Sequence, residues 1–237
     1  MTTKSKIITI VCLAFLPLIS HIIAQFYSSF LLALPLKIFI HIIVPIVAVM
    51  IIRKVSLTES ILLPITREWK PEAKKFAYKI TIVGIVLAVA IIWIAYKTLG
   101  IYVDFDNLVL DLQNKYGITT STFILVALWI TFVNPIFEEF FWRGFVFRGI
   151  SQFAKSQFSK WLIIISSGIL FSIHHAIIVL EWFNVWLFIA TLTFLSLAGM
   201  LFNWIYSKTG SIIPALIIHM FADAIICIIG LIIFNII

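Results

Sequence analysis

Apolar residues fill this chain in seven long blocks, roughly 7–25, 30–52, 80–101, 120–149, 161–180, 183–206 and 211–236, with short polar segments between them. A helix needs about 20 apolar residues to cross the hydrocarbon core of a bilayer, and every block reaches or approaches that length. Lipid offers backbone N–H and C=O groups no partners, so helix, which pairs them internally, is the expected conformation. The pattern predicts an all-α, polytopic transmembrane helical bundle of about seven spans. No internal repeat or low-complexity tract interrupts it, and residues 1–237 read as a single membrane domain.

Composition agrees with that pattern. Hydrophobic residues make up 63% of the chain and charged residues 11%, and the mean hydropathy is +1.18, too apolar for a soluble domain with a polar shell. The net charge of +7 does not point to nucleic acid, because the basic residues lie between the apolar blocks instead of on one face. They read as topology signals. With the N-terminus in the cytoplasm, 14 of the 17 Lys and Arg fall on the inner side and only Lys97 and Lys115 on the outer. Lys37 lies inside a span, and the outer loop near 102–115 carries Asp104, Asp106 and Asp111.

The longest inner stretch, 53–79, mixes Leu62, Leu63, Trp69, Phe76 and Tyr78 with basic residues such as Arg67 and Lys70. It reads equally as a helix lying on the membrane surface or as a solvated connector. Met1 to Lys6 resembles the start of a signal peptide. The run from Ile7 is too long and lacks a small-residue cleavage site, so a retained first span is expected. Cys12 and Cys227 lie far apart in apolar surroundings and form neither a disulfide framework nor a zinc ribbon.

Ionisable residues inside apolar spans are costly and mark function by default. Three segments carry them. In the first, Pro135 should bend the helix just ahead of Glu138 and Glu139. Glu139 and Arg143, four apart, share a face and can pair. Glu138 is rotated by about 100° from Glu139, which leaves it without that partner and makes it a candidate general base. In the second, Phe171 and His175 share a face, and His174 is expected to be a bystander whose replacement is mild. In the third, Ser211 is an expected N-cap with Pro214 in the first turn, and Gly210 is placed to end the preceding helix. His219 and Asp223 then look the same way. Gly168 beside Ser167 suggests a close helix contact.

At 1.5 Å per residue, Glu138, His175 and His219 lie about 18, 22 and 12 Å from helix ends that the charge pattern assigns to the cytoplasm. Modest tilts bring these depths together. His21 and His41 have no such company and read as structural. A Glu with two His and a further carboxylate can activate water and polarise a carbonyl, either through zinc or without metal.

Glu138-Glu139-x-x-x-Arg143, Phe171-x-x-x-His175 and His219-x-x-x-Asp223 resemble the motifs of the CAAX-protease and bacteriocin-processing family, also called the ABI family of intramembrane metalloproteases. The lead-in Thr209-Gly210-Ser211-Ile212-Ile213-Pro214 is similar to that family too. The resemblance covers roughly 120–230, the expected catalytic core, and leaves 1–119 as accessory spans and a basic cytoplasmic loop. It implies an intramembrane endopeptidase in a helical bundle whose site opens to the cytoplasm. Glu138 and His175 would activate water there, His219 and Asp223 would stabilise the oxyanion or bind metal, and Glu139, Arg143 and Phe171 would support them. If zinc is used, Glu138, His175, His219 and Asp223 are the ligand set; a metal-free route stays open. The family often has Asn where this chain has Asp223; an ionised Asp cannot donate to an oxyanion, so Asp223 would be protonated, orient His219 or ligate a cation.

The implied partners are a peptide or membrane-protein substrate and the lipid bilayer. The Ile-, Phe- and Lys-rich composition with short loops suits a bacterial plasma membrane. Two rivals are a non-catalytic scaffold or immunity protein of the same fold, and a small transporter. The transporter requires matching interruptions in two related halves, which the sequence does not show.

Overall fold

A computed structural model of the protein describes residues 2–27, 35–62, 65 and 71–236. Among them helix is the only regular structure. Three spans, α1 (Thr3–Ile23), α2 (Pro35–Arg53) and α3 (Pro71–Thr98), are followed by a shorter helix α4 (Phe105–Tyr116). Then come α5 (Thr120–Ser151), a pair α6 (Gln157–Ile173) and α7 (Ala176–Trp182) bent by 47°, α8 (Val185–Thr209) and α9 (Ile213–Ile233). Among the described residues six of these are long and apolar enough to cross a membrane, or seven where the bent pair counts as one span. The chain is a multi-pass membrane protein, as the hydropathy pattern requires. Leu63, Arg67, Trp69 and Lys70 of the inner stretch lie outside the described residues.

Two spans contain short π-helical turns at prolines, and each has a local cause. Pro45 and Pro135 carry no N–H, so each leaves a carbonyl of the preceding turn without its usual partner. In both cases the residue just before the proline bonds five residues back: Val44 N–H to Phe39 C=O, and Asn134 N–H to Trp129 C=O. The wider turn absorbs the missing donor without ending the helix. A third π-helical stretch, Phe140–Phe147, follows the acidic pair directly and carries Arg143.

The ends of elements follow local chemistry with two adjustments. Gly210 closes α8 at φ +69°, as its position suggested. α9 starts at Ile213 with Ile212 at the cap position, so Ser211, the expected cap, stands one residue ahead of it, although its Oγ still accepts from Ile213 N–H at 3.2 Å. The expected outer loop is largely helix. Asp104 caps α4 by accepting from Asn107 N–H, and Lys115 and Tyr116 at its other end both bond Glu181 of α7.

α6 and α8 approach one another at backbone distance. A Cβ on Gly199 would sit 2.9 Å from Gly168 O, and one on Gly168 would sit 2.7 Å from Met200 N. Both glycines are required by backbone approach, the small-residue packing that membrane helices favour. Asn203 reinforces it by donating to Ser167 Oγ at 2.8 Å and Ile164 C=O at 3.2 Å. Gly199→Leu is expected to cost about 1–3 kcal/mol through overpacking, read as a lower melting temperature in detergent. A melting temperature unchanged from wild type would mean that the two helices do not approach this closely.

Candidate active site

α5, the α6–α7 break and α9 bring the three motifs together. Glu138 is buried at 1% exposure, and its Oε2 has no hydrogen-bond partner. His175 Nε2 and His219 Nε2 each lie 3.8 Å from that oxygen, and Asp223 Oδ2 lies 3.7 Å from His219 Nε2. Polar atoms at such spacing are too far apart to bond directly and suit a small bridging species between them. All four residues named as catalytic from the sequence therefore meet at one point.

The expectation that Glu138 lacks a partner is corrected. Its other oxygen, Oε1, accepts from Lys37 Nζ and Asn134 Nδ2, both at 3.0 Å. Lys37 comes from α2, about a hundred residues away in the chain, so its partner could not be read locally. Its position inside an apolar span was the available signal. Asn134 sits one turn ahead of Glu138 and was legible by spacing.

His174 is also corrected. The rotation argument assumed a continuous helix, but α6 ends at Ile173 and His174–His175 form a turn. His174 is buried, and its Nε2 lies 3.8 Å from Glu138 Oε1. Its Nδ1 bonds Phe171 C=O, which must be the acceptor, so in the neutral ring Nε2 carries the lone pair. The carbonyl of His174, freed by the break, accepts from Nδ1 of His21 at 2.7 Å. His21 thus stands against the site, its ring 5.5 Å from that of His174. His41 remains apart, bonded to the Lys37 carbonyl and packed on Phe141.

Behind these groups lies a supporting layer. Arg143 Nη1 donates to Glu139 Oε1 at 2.8 Å, and His219 Nδ1 donates to the same oxygen at 2.9 Å. Glu139, not Asp223, therefore holds the His219 ring and its tautomer. The Arg143 guanidinium lies 4.5 Å from the Phe171 ring and 4.9 Å from that of Phe202, which accounts for a buried cation with so few hydrogen bonds. Phe171 also meets the rings of His174, His175 and His219. Phe202, from α8, carries no motif that would have disclosed it.

The donors fit a metal ion. Glu138, His174 and His175 offer ligand atoms that all lie within 4.8 Å of one another. The imidazoles of His174 and His219 are each held at Nδ1 by a carbonyl or a carboxylate, the arrangement that presents Nε2 to zinc.

Residues 120–225 match the family model of type II CAAX prenyl endopeptidases, Rce1-like. No curated protein and no solved structure matches the chain. The matched region carries all three motifs and ends just past Asp223.

Proposed function

We propose that this chain is a CAAX-protease-type intramembrane endopeptidase. It hydrolyses a peptide bond of a peptide or membrane-protein substrate in a cavity facing the cytoplasm, in the plasma membrane of a bacterium. The observation that carries this reading is Glu138 Oε2, a buried carboxylate oxygen without a partner, facing two imidazole nitrogens at equal distance.

Lys37 and Asn134 fix the Glu138 carboxylate through Oε1, leaving Oε2 for chemistry. Oε2 takes a proton from the attacking water as the water oxygen bonds the substrate carbonyl carbon. The same proton goes to the amine nitrogen as the C–N bond breaks. His175 holds the water from its other side. His219, fixed at Nδ1 by Glu139, presents Nε2 to the carbonyl oxygen and, as imidazolium, donates to the oxyanion. Zinc, if bound by Glu138 with His174, His175, His219 or Asp223, would supply a polarised carbonyl and a more acidic water.

The test is cleavage of membrane peptides by the purified protein in liposomes. Rates no higher than those of the Glu138→Gln variant would favour the non-catalytic scaffold. His174→Ala, which sequence spacing made mild, is now expected to lower the rate about 10–100-fold, as loss of groups that orient a site does. A rate within twofold of wild type would return His174 to the role of bystander.

Asp223→Asn separates the remaining roles, because Glu139 already orients His219. If Asp223 is a ligand, zinc content and cleavage fall together in the variant. A zinc-free, active wild type with an equally active Asn variant would exclude the ligand role.

A further inference from the structure

A cavity of about 640 Å³ shares no residue with the candidate active site. That size lies within the roughly 300–1,000 Å³ typical of small-ligand sites. Arg53, Arg148, Lys160 and Lys208 line it, and no Asp or Glu does among the described residues. The four cations come from four different elements, at the end of α2, the end of α5, the first turn of α6 and the last turn of α8. Among the described residues the lining thus gathers like charges, an arrangement that an anion would stabilise.

The level of the cavity indicates which anion. It sits where α2, α5 and α8 end and α6 begins, the level that the Lys and Arg pattern assigns to the membrane boundary. Trp161 and Trp204 line it, as aromatic residues do at that depth. On the same helix as the lining residues Lys160 and Trp161, Phe158 and Leu162 are 73% and 50% exposed and offer apolar surface. A ligand with phosphate charge at one end and acyl chains at the other satisfies both features. A basic cavity between transmembrane helices is a recognised setting for such headgroups.

We infer that this cavity binds the headgroup of an anionic phospholipid carrying two phosphates, with its acyl chains lying along the face of Phe158 and Leu162. Four cations exceed what a single phosphate diester neutralises, which favours the doubly charged head. The inference is independent of the peptidase reading, because its test reads binding and not cleavage.

The full-length protein in detergent is titrated with cardiolipin, with phosphatidylcholine and with inorganic phosphate. Wild type is expected to bind cardiolipin at least about tenfold more tightly than phosphatidylcholine. Lys160 and Lys208 are exposed and hold no part of the core, so Lys160→Gln/Lys208→Gln is expected to fold normally. Its cardiolipin affinity should fall about 30-fold. Arg148→Gln should show the same direction. Unchanged affinity in the double variant, or equal binding of the two lipids, would overturn the proposal. Inorganic phosphate that binds as tightly as cardiolipin would overturn the lipid as its source.

Discussion

Glu138→Gln is expected to reduce peptide cleavage by at least about 10²–10⁴-fold, the contribution of a general base, while the protein folds and inserts normally. The expectation of normal folding rests on Oε1. The amide oxygen of Gln can still accept from Lys37 and Asn134, so the two donors that meet at that point keep an acceptor. What disappears is the proton-accepting capacity on the side facing His175 and His219. His175→Ala should be similarly inactive, because His175 Nε2 is one of the two nitrogens facing that oxygen. Cleavage rates measured beside melting temperatures check both variants. More than a small fraction of wild-type activity in either, at unchanged stability, removes that residue from the chemistry.

The second large effect concerns stability. Glu139 and Arg143 are both fully buried and joined at 2.8 Å. Removing one partner altogether strands the other charge, and Glu139→Ala or Arg143→Met is expected to destabilise the protein by about 3–5 kcal/mol. The double replacement should recover part of that loss relative to the worse single variant, since no unpaired charge is left behind. Both singles should also lose activity, because Glu139 fixes the tautomer of His219. Denaturation in detergent for the four members of the cycle gives the coupling. Strict additivity would show that the pair does not stabilise the protein as a unit.

Local pattern accounted for much of this protein. Span number and order follow from apolar runs, because in lipid any long unbroken run must be helical. The Glu139–Arg143 pair follows from helical spacing, as does the shared direction of His219 and Asp223. The close approach at Gly168 was legible because the residue lacks a side chain. Glu138, His175, His219 and Asp223 were singled out because ionisable groups in apolar spans are rare and costly.

Tertiary structure decided what local periodicity cannot carry. Lys37 and Glu138 are brought together by the packing of α2 against α5, a contact that no spacing rule encodes. His174 entered the site because the helix ends at Ile173, and the fixed rotation per residue stops applying once the helix does. Phe202 sits under Arg143 because Gly168 and Gly199 let α8 approach α6. Sequence alone named the groups able to do chemistry. Which oxygen of Glu138 is tied down and which is left free depends on side chains from three separate helices converging, and that is a property of the packed bundle.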